Sequence, residues 1–175
     1  GAGRGKRHML MLTVGTGIGG GIVMGGQLQR GANGLAGEIG HMVVQHNGEL
    51  CVCGRRGCWE RYASGSALRM LSGGMSGEEV FAAAESGDAD AQSVVATFAD
   101  WVAVGLASLT NICDPEVIVI GGGVVQSFEF VLESVSKSFS AALYSSESRP
   151  HPALHVAALG ERAGAIGCAL FMTQG

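Results

Sequence analysis

The most regular hydrophobic pattern of the chain lies between residues 89 and 112. Apolar side chains recur there at the spacing of a helix that buries one face. These positions are Val94, Val95, Phe98, Trp101, Val102, Leu106, Leu109 and Ile112. Asp114-Pro115 ends the pattern, because proline disfavours a helical conformation at the residue before it. The spacing therefore predicts one long buried helix from about Ala89 to Ile112.

Shorter apolar runs predict the strands of a sheet. The runs at His8–Val14 and Val117–Ile120 are almost wholly apolar, which is typical of buried strands. Gly25-Gly26 predicts a hairpin turn. The remaining predicted strands are Ile22–Met24, Gln27–Gln29, Met42–Gln45 and Leu154–Ala157. Because hairpins join the early strands and helices alternate with the later ones, the pattern predicts an α/β fold with a mixed sheet.

Three further helices are predicted around this sheet. Ser76-Gly-Glu-Glu79 has the spacing of a capping box, which predicts a helix from there to about Glu85. Two more are predicted over Phe128–Leu143 and Arg162–Met172. No internal repeat, linker or low-complexity tract divides the sequence. Residues 1–175 are therefore predicted to form one domain, or one large piece of a bigger protein.

Composition narrows the classes of function. The net charge is −4 and there is no basic run, which argues against nucleic acid as a partner. The first residues do not resemble a secretory signal. No apolar stretch is expected to approach the roughly 20 residues that a membrane helix needs. Together these features predict a cytoplasmic protein without a membrane partner.

Three cysteines and a histidine share the short segment that begins at about residue 38 and ends at about residue 60. The set consists of His41, Cys51, Cys53 and Cys58. Three thiolates and one imidazole are a common structural zinc set, and soft sulfur ligands favour zinc over magnesium or calcium. The alternatives are a disulfide or small buried apolar side chains. The odd total of five cysteines argues against a disulfide framework, and Cys113 and Cys168 are predicted to pack in the core.

Two carboxylates flank this predicted zinc-binding loop. Glu38 lies three residues before His41, and Glu60 lies two residues after Cys58. Ionised carboxylates accept short, strong hydrogen bonds, and paired acceptors at a fixed separation suit vicinal hydroxyl groups. A histidine that binds metal through one nitrogen keeps its other nitrogen as an N–H donor. The alternative is that both glutamates are solvated loop charges.

Two glycine clusters offer backbone amides to an anion. The first is Gly15-Thr16-Gly17-Ile18-Gly19-Gly20-Gly21, where the threonine adds a hydroxyl donor. It joins two strands, so neither the dinucleotide fingerprint nor the phosphate loop with its lysine applies, and an ordinary hairpin is the alternative. The second, Gly121–Gly123, follows a predicted parallel strand, where α/β sheets bind ligands. An ordinary strand-to-helix turn is the alternative there.

These motifs, taken in order, resemble the ROK family (repressors, open reading frames, sugar kinases). The resemblance rests on Gly15–Gly21, Ala36–His41, Cys51–Glu60, Tyr62–Gly65, Asp114-Pro115, Gly121–Gly123 and Leu159–Gly167. It covers essentially the whole chain, and the cysteine motif is its most specific part. Trp59 and Tyr62–Leu68 are most similar to the glucokinase branch.

The resemblance implies the C-terminal lobe of an actin-like ATPase (ribonuclease H-like) fold that closes over a hexose and a nucleotide. The implied structural zinc ligands are His41, Cys51, Cys53 and Cys58. The implied sugar-binding residues are Glu38, His41 and Glu60. The implied nucleotide-binding residues, for ATP held with Mg²⁺, are Gly15, Thr16, Gly17, Ile18, Gly19, Gly20, Gly121, Gly122 and Gly123. A homodimer is implied as well.

One part of the family pattern is missing. Phosphorylating a sugar hydroxyl calls for a base near the attacking oxygen, and the resemblance implies an aspartate upstream of the first predicted strand. The sequence has no aspartate before Asp88 and no carboxylate before Glu38. We therefore expect the catalytic aspartate and the N-terminal lobe to lie upstream of Gly1. On that expectation, the 175-residue chain alone would bind zinc without phosphorylating sugar.

The function predicted for the full-length protein is the ATP-dependent phosphorylation of a hexose, glucose to glucose 6-phosphate. Two alternatives remain at this point. One is a sugar-sensing transcriptional repressor of the same family, and the other is a purely structural zinc module.

Overall fold

The computed structural model of the protein describes residues 1–124 and 128–172. Its five strands form one sheet in the order β3-β2-β1-β4-β5. They are β1 (Met9–Val14), β2 (Ile18–Met24), β3 (Gln27–Leu28), β4 (Val117–Gly121) and β5 (Ala153–Val156). The pairs β1–β2 and β2–β3 are antiparallel, whereas the pairs β1–β4 and β4–β5 are parallel. The predicted mixed sheet is confirmed.

Within the described residues, five helices accompany the sheet. They are α1 (Gly65–Leu71), α2 (Gly77–Glu85), α3 (Ala89–Cys113), α4 (Phe128–Ala142) and α5 (Ala163–Met172). Three-residue 3₁₀ turns lie at Ile39–His41, Trp59–Arg61 and Gly160–Arg162. The predicted capping box is present, since the Ser76 hydroxyl accepts from the Glu79 amide and the Glu79 carboxylate accepts from the Ser76 amide. Asp88 caps α3 in the same way, by accepting from the Ala91 amide.

The core lies between the sheet and the long helix α3. Leu10, Leu12 and Val14 alternate along β1 with more exposed residues, so that one face of the strand is buried. They share a single hydrophobic cluster with Phe98 and Leu106 of α3. All five residues of β4 are buried. The predicted long helix is confirmed, and it forms the centre of the core.

Helix α3 is 25 residues long, and by length and composition it could cross a membrane, with a mean hydropathy of 1.5. The expectation that no apolar stretch approaches that length is therefore wrong. Of the most apolar 18 residues of this helix, 56% are buried inside the protein, where α3 packs against α2 and α4. The helix thus has the burial of a core helix, although Ile112 near its end is 72% exposed rather than buried as predicted.

Two other expectations differ from the structure, and one helix has no counterpart among the predictions. Residues 42–45 do not form a strand: Val43 makes only an isolated bridge to Cys58, because the cysteine loop turns away at Gly57, where φ is +83°. Helix α1 was not predicted. Cys113 is buried as expected, but Cys168 is exposed on α5.

Candidate metal centre and ligand cleft

The four predicted zinc ligands come together in space. The ligand atoms of His41, Cys51, Cys53 and Cys58 all lie within 4.8 Å of one another. The Cys53 and Cys58 sulfurs are 3.5 Å apart, and the Cys51 sulfur is 3.7 Å from His41 Nδ1. A tetrahedral ion with bonds of about 2.3 Å to sulfur separates its ligands by roughly 3.8 Å. The cluster therefore has the dimensions of a tetrahedral metal site.

The three thiols differ in their proton affinity. Burial raises the pKa of Cys51 to about 12 and also raises the pKa of Cys58. Cys53 is exposed, and the backbone N–H of Arg55 lowers the pKa of its thiol to about 6. Because three thiolates in one place repel each other, only one of them is readily ionised without a cation. A divalent ion would compensate the charge of the remaining two.

The backbone of the cysteine loop is shaped by glycine. Gly54 and Gly57 have φ angles of +84° and +83°, a conformation that side chains other than glycine rarely adopt. The amide of Gly54 donates to the Cys51 carbonyl over 3.0 Å, and the amide of Cys51 donates to the Arg55 carbonyl over 2.8 Å. These turns bring Cys51, Cys53 and Cys58 back to one point although they are spread over eight residues.

Trp59 anchors this loop to the core. It follows the predicted zinc ligand Cys58 and precedes Glu60 in the sequence, its side chain is fully buried, and its indole N–H donates to the Trp101 carbonyl of α3 over 2.7 Å. The indole lies against Gly105, one helical turn further along α3, where there is no side chain to obstruct it. The position of the cysteine loop is thus fixed by contacts with the core helix α3.

Glu60 lies beside the cluster. Its Oε1 accepts from the Cys51 thiol over 3.0 Å and lies 3.8 Å from His41 Nδ1. The carboxylate is 15% exposed, so it is held in place and still reachable from solvent. Glu38 is exposed at the start of the 3₁₀ turn Ile39–His41, and its side chain makes no capping hydrogen bond. The predicted sugar-binding residues thus include one fixed and one solvated carboxylate.

The first glycine cluster divides into a turn and a strand. Gly15-Thr16-Gly17 forms the turn between β1 and β2, whereas Ile18 and the three glycines after it belong to β2. A Cβ atom on Gly20 would overlap the Ile39 side chain, and one on Gly37 would lie 2.8 Å from the Gly20 carbonyl. These glycines let the segment that carries His41 pack directly on β2. Packing therefore explains Gly20, and the predicted contact of Gly19 and Gly20 with nucleotide stays a prediction.

The turn itself suits an anion. Thr16 is exposed, and no described residue accepts a hydrogen bond from the backbone amides of Thr16 or Gly17. Free amides in a tight turn bind anions. A Cβ atom on Gly17 would lie 2.5 Å from Glu60 Oε2, so the turn and the metal-flanking carboxylate are direct neighbours.

The second glycine cluster follows β4. Cβ atoms on Gly121 and Gly122 would collide with Met11 and with the Val14 backbone, so these two glycines allow close packing of β4 on β1. Gly123 has nothing within 4 Å of such an atom. Of the three predicted residues, Gly123 is therefore the one with open space beside it.

A cleft of about 460 Å³ is lined by residues of both glycine clusters. It lies between the β1–β2 turn, the starts of α1 and α2, and the end of β4. Its lining residues are Gly15, Thr16, Gly65, Ser66, Arg69, Ser76, Gly77, Glu78, Gly123 and Val124. The residues from α1 and α2 were not predicted, because only the fold brings them to the glycine clusters. The Ser64 cap of α1 was a local signal that could have revealed that helix.

Known proteins resemble the chain along its whole length. The sequence profile of the ROK family matches residues 1–175. A glucokinase of Streptomyces coelicolor is 35% identical over 97% of this chain and 60% of its own length. A xylose repressor of Bacillus subtilis is 30% identical over 95% of this chain and 44% of its own length. The chain therefore spans less than two thirds of the length of these relatives.

A solved structure has the same fold. The crystal structure of a ROK family glucokinase from Streptomyces griseus, in complex with glucose and AMPPNP, matches with a TM-score of 0.93 and 38% identity. The match covers 100% of this chain and 63% of that one. The predicted fold class, a mixed sheet with helices of the actin-like ATPase type, is thereby confirmed. A profile match over every residue and a shared three-dimensional structure show that the chain belongs to the ROK family.

Proposed function

We propose that the protein containing this chain transfers the γ-phosphoryl group of ATP, held with Mg²⁺, to a hydroxyl of a hexose, with glucose as the preferred acceptor. The glucokinase of Streptomyces coelicolor and the glucose-bound structure from Streptomyces griseus support this choice. The activity belongs to the whole protein, of which the chain spans about 60% when measured against the Streptomyces coelicolor relative.

One observation carries the proposal: Glu60 lies at the junction of two subsites. Its Oε1 is within 3.0 Å of a cluster sulfur, while its Oε2 borders Gly17 in the anion-binding turn. A carboxylate accepts hydrogen bonds from sugar hydroxyls, and the free amides of the turn donate to phosphate oxygens. An acceptor hydroxyl and a donor phosphate are thereby brought together, as phosphoryl transfer requires.

The cluster of His41, Cys51, Cys53 and Cys58 would hold a structural Zn²⁺, because its donor set and its spacing both fit. Such an ion supplies fixed geometry and charge compensation. When Cys51 is deprotonated it no longer donates to Glu60, so Oε1 becomes free to accept from a sugar hydroxyl. His41 Nδ1 faces the cluster, which leaves Nε2 as an N–H donor toward a second sugar oxygen.

The proposed reaction forms a bond between the acceptor oxygen and the γ-phosphorus and breaks the bond to the ADP oxygen. The residues of this chain hold the two partners: Glu38, His41 and Glu60 orient the hexose, and the turn at Thr16 with Gly123 orients the nucleotide. The hydroxyl proton would pass to the aspartate that the family resemblance implies.

Sugar sensing without catalysis is a second candidate, because the xylose repressor of Bacillus subtilis is 30% identical to the chain. Such a protein would keep the metal and sugar subsites, but its turn would have no nucleotide to bind. Turnover of ATP separates the two functions.

The test is a coupled assay of ADP formation by the full-length protein with glucose and ATP, in which the wild type, Glu60→Gln and Glu85→Gln are compared. Glu85 is an exposed glutamate at the end of α2, outside the cleft, and serves as the control. Loss of a charged hydrogen bond costs about 1.5–3 kcal/mol, which lowers kcat/KM for glucose by about 10- to 150-fold in Glu60→Gln. Glucose binding without any ADP formation by the wild type would contradict the kinase and favour the sensor.

A further inference from the structure

All three carbonyl oxygens of the β1–β2 turn are engaged by the protein. The Gly15 carbonyl accepts from the Gly65 amide over 2.8 Å, and the Gly17 carbonyl accepts from the Gly15 amide over 3.0 Å. The Thr16 carbonyl accepts from the Ser66 hydroxyl over 2.7 Å. Two of these three bonds come from the first residues of α1, which are 50 residues away in sequence. The carbonyl side of the turn is therefore held against α1.

These bonds determine where the free amides of the turn point. In a trans peptide the carbonyl and the N–H of the next residue point in opposite directions. The bond from Ser66 to the Thr16 carbonyl thus aims the Gly17 N–H away from α1, and the bond from Gly65 to the Gly15 carbonyl does the same for the Thr16 N–H. Glycine at positions 15 and 17 leaves the peptide planes free to rotate, so external bonds are needed to fix them.

Among the described residues, the Ser66 hydroxyl makes no second hydrogen bond. The capping of α1 is done by Ser64, whose oxygen accepts from the Ala67 amide over 3.3 Å. Ser64 is also fully buried and donates to the Glu60 carbonyl over 2.6 Å, so the start of α1 is tied to the residue beside the metal cluster. Ser66 lines the cleft, and its hydroxyl donates its one hydrogen bond to the Thr16 carbonyl in the turn.

We propose that Ser66 is a positioning residue for phosphoryl transfer: its hydroxyl fixes the Thr16–Gly17 peptide so that the Gly17 N–H donates to a phosphate oxygen of the nucleotide. This inference rests on the proposed function, because it assigns the nucleotide phosphates to the turn. Ser66 itself acts through the turn and does not touch the acceptor sugar.

The test compares Ser66→Ala, Ser66→Thr and Ser108→Ala in the full-length protein. Ser108 is the matched control, because its hydroxyl also donates to a backbone carbonyl, that of Val104, but within α3. We expect Ser66→Ala to raise KM for ATP about tenfold while KM for glucose stays unchanged, as one hydrogen bond to an ionised group is weakened. Ser66→Thr, which keeps the hydroxyl, should restore KM for ATP, and Ser108→Ala should resemble the wild type.

Equal increases in both KM values, or a Ser66→Ala variant that behaves like Ser108→Ala, would overturn the inference and leave the kinase proposal intact. Calorimetric titration with ATP in the absence of sugar gives an independent answer. There Ser66→Ala should bind ATP about tenfold more weakly than the wild type and Ser66→Thr should not. A wild-type protein that phosphorylates no sugar but shows this difference would refute the kinase and support the role of Ser66. A wild type that binds no ATP would overturn both.

Discussion

Replacing Gly105 by alanine tests how the core helix holds the candidate site. Gly105 lies inside α3, and a Cβ atom there would overlap the indole of Trp59. The indole cannot move aside easily, because it is fully buried and its N–H is bonded to the Trp101 carbonyl over 2.7 Å. The added methyl group must therefore displace either Trp59 or the backbone of α3.

The magnitude follows from opposing contributions. Alanine favours a helix interior over glycine by about 1 kcal/mol. Overpacking a filled core costs about 1–3 kcal/mol, and separating the buried indole N–H from its acceptor costs about 1–3 kcal/mol more. The sum predicts a net loss of about 1–5 kcal/mol in the free energy of unfolding.

The assay is urea unfolding, with Gly167→Ala as the matched control. Gly167 lies in α5 with nothing within 4 Å of an added Cβ atom, so the same substitution there should stabilise the protein by up to about 1 kcal/mol. Because Trp59 lies between Cys58 and Glu60, Gly105→Ala should also weaken metal retention. A Gly105→Ala variant as stable as Gly167→Ala would refute this reasoning.

Three further outcomes are expected. Cys58→Ser should abolish bound metal as measured by elemental analysis, while Cys168→Ser, which changes an exposed thiol outside the cluster, should retain it. Because the pKa values of Cys51 and Cys58 are raised, a metal ion must displace their protons, so the affinity for zinc should fall as the pH is lowered from 8 to 6. Calorimetry in buffers of different ionisation enthalpy should show that protons are released on binding. An affinity that does not change with pH would contradict binding at this cluster. Ser76→Ala should cost about 1 kcal/mol in urea unfolding. The Ser76 amide lowers the pKa of Glu79, so the stability that the carboxylate adds is complete above its ordinary pKa and is lost as the pH falls through the lowered folded value. Glu79→Gln should therefore destabilise the protein at pH 7 and have little effect in strong acid, and an equal effect at both pH values would contradict this part of the cap.

The strongest sequence signals predicted the parts of the fold that are locally determined. The apolar spacing along α3 continues over 25 residues, and the capping box at Ser76 and Glu79 specifies its own helix start. The donor types of His41, Cys51, Cys53 and Cys58 were also sufficient to predict that these side chains meet at one point, whereas the zinc ion itself stays a prediction.

What the sequence could not reveal depends on contacts between distant segments. Helix α1 has only seven residues, too few for a clear periodic pattern, and its role comes from its bonds to the β1–β2 turn. Glycines weaken isolated strands, so Gly19 and Gly20 were predicted to lie in the loop. The glycine at position 20 is explained only by the packing of Gly37 and Ile39 against it, and that contact joins two distant segments.

The proposed function depends most directly on a zinc ion at the cluster beside Glu60. X-ray absorption at the zinc edge, recorded on the protein purified without chelator, measures its presence and its ligands together. We expect one zinc per chain with three sulfur atoms at about 2.3 Å and one nitrogen at about 2.0 Å. Protein without zinc, or a shell dominated by oxygen, would contradict the account.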